Sequence, residues 1–221
     1  MALHVTATRR DALSVGVTVG TYGVAFGAAG VAAGFSVLQT CLFSLITFTG
    51  ASQFAAVGVV AAGGGPWGAV SAATLLGTRN ALYGLQVAPL LAQRSWRRVL
   101  GAHLTIDEST GVALAQGPRG VAAMREGFWW TGVSVYVLWN LFTLAGALGA
   151  RTLGNPASWG LDAAVPAAFL GLVWPRLSDH FLRVVCVVSM IFALLVTSLL
   201  PAGAGIIATV VVALAAGWRE R

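Results

Sequence analysis

The chain has 221 residues, 57% of them hydrophobic and 9% charged, and carries more apolar surface than one soluble core of that length can bury. Its net charge of +6 comes from thirteen arginines, with no lysine, against seven acids. A soluble domain is excluded, and a nucleic-acid surface is disfavoured, because arginines beside apolar spans serve orientation and headgroup contact rather than forming a basic face.

In chain order, Arg9 and Arg10 precede an apolar run, as in a secretory or twin-arginine signal. Asp11 interrupts the run that such a signal needs, and the spans downstream make the segment part of the bundle. Apolar stretches follow at 12–33, 37–62, 67–92, 128–150, 161–174, 181–200 and 203–217. The stretch 99–116 is long enough to cross but holds His103, Asp107 and Glu108 near its middle, where each acid costs about 2.5–3.5 kcal/mol. These spans predict an all-α, polytopic transmembrane helix bundle of six to eight membrane segments. Residues 1–11 are a cytoplasmic N-terminus, 12–217 a single transmembrane domain and 218–221 a cytoplasmic C-terminus.

Arginine placement separates two topologies. If 12–33 and 99–116 each enter and leave on one side, six crossings remain, with eleven arginines inside and only Arg151 outside. If both cross, there are eight, and Arg94, Arg97 and Arg98 join Arg151 in an 8 to 4 split. Charge favours six, and both place the two termini in the cytoplasm. Trp67, Trp96, Trp129, Trp130, Trp174 and Trp218 fall near span ends, at headgroup depth.

The first span repeats glycine at 16, 20, 23, 27, 30 and 34. This pattern reads either as a close-packing face or as a broken, re-entrant segment whose freed backbone binds a solute. Asp11–Val15 and Asp162–Pro166 echo each other at the heads of two groups of three spans, the parity of an inverted repeat.

Arg79 lies at the middle of 67–92, with Asn80 beside it and Tyr83 one turn on. A guanidinium at that depth faces the bundle interior, and Asp107 and Glu108 are its expected partners, for helix packing or for a substrate. Ser52 and Gln53 lie among small residues within apolar flanks, and Gln53 reads first as an interhelical hydrogen-bonding group, as does Asn140 beside Trp139. Cys41 and Cys186 are isolated within spans, and His4, His103 and His180 have no ligand-like companions, so no metal or cofactor is expected. No nucleophile elbow, phosphate loop or zinc motif is present, and the lack of lysine removes Schiff-base chemistry. The chain reads as no enzyme.

Four segments carry a family resemblance: Tyr22–Gly27 closing the glycine-rich opening, Phe48–Phe54, Thr105–Glu108, and Gly160–Asp162. Together they resemble the AzlC family of branched-chain amino acid permeases, of the azaleucine-resistance type, over about residues 11–217. The family pattern Asn-x-Arg-His-x-Leu-Tyr is met at Arg79, Leu82 and Tyr83 but replaced at Gly77 and Asn80, so a role for the arginine carries over and one for the histidine does not. The resemblance implies a gradient-driven exporter of leucine, isoleucine, valine and methionine in the inner membrane, working with a small AzlD-type membrane subunit. For such a zwitterion, Arg79 or the backbone near Tyr22 would take the carboxylate, Asp107 or Glu108 the ammonium, and Phe26, Phe48 and Phe54 the side chain. Ser52, Gln53, Asn80 and Tyr83 complete the candidate set, and Asp107 and Glu108 are the candidates for proton coupling. A non-transporting membrane subunit, a transporter of another small solute and a membrane-embedded enzyme are the competing readings.

Overall fold

Inside a hydrocarbon layer every backbone N–H and C=O must be satisfied within the protein, so apolar stretches this long span it as helices. The computed structural model describes residues 7–152, 167, 170–171, 173–200, 205 and 208–219. Helices α1 (Ala7–Gly20) and α2 (Tyr22–Ala32) are joined by Thr21, whose φ of −60° and ψ of −27° stay helical. They run on as one 26-residue segment, about 39 Å long.

The glycines of this segment decide what it packs against. Helix α8 (Val121–Thr152) lies so close that an added Cβ would strike Ser134 at Gly16, Leu138 at Gly20, the Trp139 carbonyl at Gly23 and the Thr143 carbonyl at Gly27. The contacts advance together along both helices, so the two run parallel. The expectation that 12–33 is broken or re-entrant is corrected: the glycines are a close-packing face, and the segment is long enough to cross.

The next stretch turns back. Helix α3 (Val37–Thr47), with a capping box between Ser36 and Gln39, descends beside α2 and α8. Thr40 lies against Gly30, Ser44 against Thr143, and Phe48 against Tyr136. Helix α4 (Ala51–Ala61) then rises again. Phe43 from α3 and Phe54 from α4 both meet Phe26, with ring centroids 6.1 and 5.5 Å away, and Phe43 also packs against the cluster of Ala55, Ala56, Val59, Ala69 and Ala72. Two limbs laid end to end could not both lie at that level. The full crossing expected over 37–62 is therefore corrected to a hairpin turning at Phe48, Thr49 and Gly50, with Gly50 at φ +62°, where a side chain would be strained.

Helix α5 (Pro66–Leu91) starts with proline in its first turn and runs the whole way back, antiparallel to α8. Its Leu90 carbonyl accepts from Arg125 Nε at 2.7 Å near the start of α8. Helices α6 (Trp96–His103) and α7 (Asp107–Ala115) form a second hairpin. Gly101 lies by Leu91 and Trp129, Leu104 by Gly132, and Val112 and Gln116 by Gly127, so α6 climbs and α7 returns. Thr8 donates to Gln116 at 3.2 Å, and the Arg119–Asp11 and Arg9–Glu126 ion pairs tie the same end together. The same-side reading of 99–116 agrees with this path.

The two hairpins enter from opposite ends, and their tips meet at mid-bundle. Each is followed by a long helix, and each tip is capped alike: Gly50 N donates to Gln53 Oε1 and Ile106 N to Ser109 Oγ, both at 3.1 Å. Both members of the pair are shifted by the same 56 positions, from 50 to 106 and from 53 to 109. The units 37–91 and 96–152 thus follow the same plan, a hairpin and then a long helix, in opposite directions, which is the parity of an inverted repeat. The expected echo of 11–15 at 162–166 falls outside the described residues, as does most of 161–174. Helix α9 (His180–Thr197), capped by Asp179, has no buried residue, which suits contact with lipid, and α10 (Val210–Arg219) follows.

Candidate functional site

Breaking a membrane helix releases carbonyls at one limb and N–H groups at the next, and the tips satisfy them with named side chains. At the end of α3, the Ser44 carbonyl accepts from Gln53 Nε2 at 3.4 Å, while the Leu45 carbonyl accepts from His103 Nε2 at 3.1 Å and Tyr136 Oη at 3.4 Å. At the second tip, Ser109 Oγ donates to the Leu104 carbonyl at 2.7 Å, and Thr105 Oγ1 to Gly101 O at 2.8 Å.

Between the tips lies a cavity of about 60 Å³. One ordered water needs roughly 10–15 Å³ measured the same way, so this space admits a small polar group rather than a single water. Its floor and roof are Thr49, Gly50 and Ala51 of one tip and Ile106, Asp107 and Glu108 of the other. Arg79, Val19, Tyr22, Phe48, Phe54, Val135 and Trp139 close the sides. Helices α4 and α7 both begin here, so both present the positive end of a helix dipole, and the acids of α7 offset part of that field.

Arg79 Nη1 pairs with Asp107 Oδ2 at 2.9 Å, joining α5 to the second tip. Its Nε is buried with no hydrogen-bond partner, and so are Thr49 Oγ1 and the Trp139 indole Nε1. Two of these three are obligate donors, so residues lining the cavity carry donors for which the protein supplies no acceptor. A ligand bringing carboxylate oxygens would complement it, with Asp107 and Glu108 on hand for a cationic group.

Of the residues expected at a site, the structure brings Arg79, Tyr22, Phe48, Phe54, Asp107 and Glu108 to the cavity. Phe26 is fully buried behind it, edge-on to Phe54 and stacked on Trp139 at 6.1 Å. Gln53 is fully buried with both amide atoms engaged at the first tip, Ser52 faces Gly77 of α5, and neither Asn80 nor Tyr83 lines the space. Asn140 donates to the Tyr136 carbonyl at 2.8 Å. Trp139, Thr49 and His103 were not among the expected site residues. A tryptophan at the middle of a span, away from headgroup depth, was the available signal for the first.

The family described as AzlC protein matches residues 14–153, more than half of the chain. The chain belongs to the AzlC family. The matched region holds most of the α1–α2 segment, both hairpins, α5, α8 and every residue lining the cavity. It is also similar to the inner membrane protein YgaZ of Escherichia coli strain K12, at 29% identity over 175 residues, covering 78% of this chain and 69% of that protein. No solved structure matches it. With three helices long and apolar enough to cross a bilayer among the described residues, this AzlC-family chain is a polytopic membrane protein.

Proposed function

We propose that this chain is the translocating subunit of a gradient-driven exporter of leucine, isoleucine, valine and methionine, with the substrate's charged head bound between the hairpin tips. The observation that carries the reading is the mid-bundle cavity where Arg79, Asp107 and Glu108 meet two helix amino termini. Binding at a midplane formed by interrupted helices of an inverted repeat is the arrangement by which secondary transporters expose one site to either side. The carboxylate takes the unpaired donors of Arg79 and Trp139, the ammonium takes Asp107 or Glu108, and the hydrocarbon side chain lies on Phe48, Phe54 and Ile106. The present cavity holds the head group, and the tips part to admit the rest.

The end of the bundle holding the first residues of α1 also holds Arg94, Arg97, Arg98, Arg119 and Arg125, while Arg151 ends α8 at the other. Arginines are retained on the cytoplasmic side, which supports reading this end, and with it the start of α1, as cytoplasmic; a cytoplasmic C-terminus and the inner membrane complete the proposal. A small AzlD-type subunit is the expected partner.

Efflux of preloaded labelled leucine, valine and methionine from cells expressing the chain, with and without that subunit, tests the reading. Wild type is expected to export, and Arg79→Ala to lose at least about ten-fold of the rate while inserting normally, since a lost charge-assisted bond is worth about 1.5–3 kcal/mol. No efflux of any of the three with the partner present sinks the assignment. The engaged Arg79–Asp107 pair favours a second reading, a non-transporting subunit whose charges fix packing. Efflux that survives Arg79→Ala would mark the arginine as a packing residue.

A further inference from the structure

His103 ends α6 at the second tip, and its Nε2 lies 3.1 Å from the Leu45 carbonyl at the end of α3. A carbonyl only accepts, so Nε2 carries a proton, and Nδ1 of the neutral ring is the open basic position. Among the described residues this is the one side-chain hydrogen bond running directly from one hairpin to the other. The ring also meets Phe48 of the first tip at 6.0 Å and Tyr136 of α8 at 5.5 Å between centroids. Tyr136 in turn donates to the same Leu45 carbonyl at 3.4 Å.

We propose that His103 is a proton-binding, positioning residue of the transport site: taking up a proton tightens its bond to Leu45 and holds the hairpin tips together over the cavity. Three effects act in that direction. A charged donor makes a hydrogen bond roughly twice as strong as a neutral one. The imidazolium stands at the carboxyl end of α6, where the helix dipole favours a cation. It also lies beside two aromatic rings, 6.0 and 5.5 Å away between centroids. Loss of the proton removes all three and leaves a neutral bond that is easier to part.

The groups around the ring suit a change of charge. Helix α3 presents a carbonyl and Phe48, and its only titratable residue is Cys41. Tyr136 is the titratable group of α8 in contact with the ring, Asp107 and Glu108 follow on α7 and face the cavity, and Arg79 of α5 is engaged by Asp107. The link to transport rests on the function proposed above; the tightening of the tips does not, and it can be measured without substrate.

The test is hydrogen exchange of amides 47–53 and 104–109 in the full chain in nanodiscs at pH 5.5 and 8, corrected for intrinsic exchange. Wild type is expected to be at least about five-fold better protected at both tips at pH 5.5, with Tyr136→Phe keeping that ratio and His103→Gln losing it. Equal protection at the two pH values in wild type, which needs no variant to fold, overturns the proposal, as does an unchanged ratio in His103→Gln. Loss of efflux together with a normal exchange ratio would instead count against the transport reading alone.

Discussion

Gln53 holds both sides of a broken helix with one amide: its Oε1 accepts from Gly50 N at the start of α4, and its Nε2 donates to the Ser44 carbonyl at the end of α3. The side chain is fully buried, so neither backbone group has water to fall back on if it is removed. Gln53→Leu keeps the volume and removes both bonds. It is expected to destabilise the protein by about 2–4 kcal/mol, read as a lower unfolding temperature in detergent, because each orphaned buried group costs about 1–3 kcal/mol. Gln53→Glu, as a carboxylate, loses the donor to Ser44 and adds a buried charge, so a loss at least as large as that of Gln53→Leu is expected. Losses ranked otherwise would mean that the amide is not what joins the limbs.

At the scale of elements, the packing of α1 and α2 on α8 depends on glycines in a way that separates them from the other glycines of the chain. A Cβ at Gly27 would strike the Thr143 carbonyl and approach Ala147 N, both backbone atoms that cannot swing aside, whereas Gly149 on the far face of α8 has nothing within 4 Å. Gly27→Ala is expected to cost about 1–3 kcal/mol through overpacking. Gly149→Ala is expected to be neutral or to stabilise by up to about 1 kcal/mol, as alanine is the better helix former. Thermal unfolding of the two variants in the same detergent checks the pair, and equal effects would contradict the close approach.

For the whole molecule, the decisive feature is that two stretches enter and turn back from opposite ends. Single cysteines at Ala33 and Gly65, in a Cys41→Ala, Cys186→Ala background, are expected to react with a membrane-impermeant maleimide from one face, and cysteines at Gln93 and Pro118 from the other. If 37–61 crossed fully, Ala33 and Gly65 would divide between the faces. The arrangement also collects Arg9, Arg10, Arg94, Arg97, Arg98, Arg119 and Arg125 at one end, including the three that an eight-crossing path would place outside. The preference of the arginines for six crossings was thus pointing at two re-entrant segments, although one of the two segments was misassigned.

Composition and span length were enough to make this a helical membrane bundle, because apolar surface in that amount has nowhere else to go. The cost of an isolated charge at mid-membrane likewise singled out Arg79, with Asp107 or Glu108 as its partner, and left 99–116 open to turning back or crossing, from the chain alone. Which other segment turns back was not legible: 12–33 and 37–62 are similarly apolar, and glycine serves equally to let helices touch or to let one break. Only the neighbours decide, with α8 covering the glycines of the first segment while Gly50 at positive φ, Gln53 and His103 support the break in the second. The cavity was hidden for the same reason. Trp139, Thr49 and Asp107 are ordinary residues in separate stretches until two hairpins from opposite ends bring their tips to one level, a juxtaposition set by long-range packing and by no local pattern.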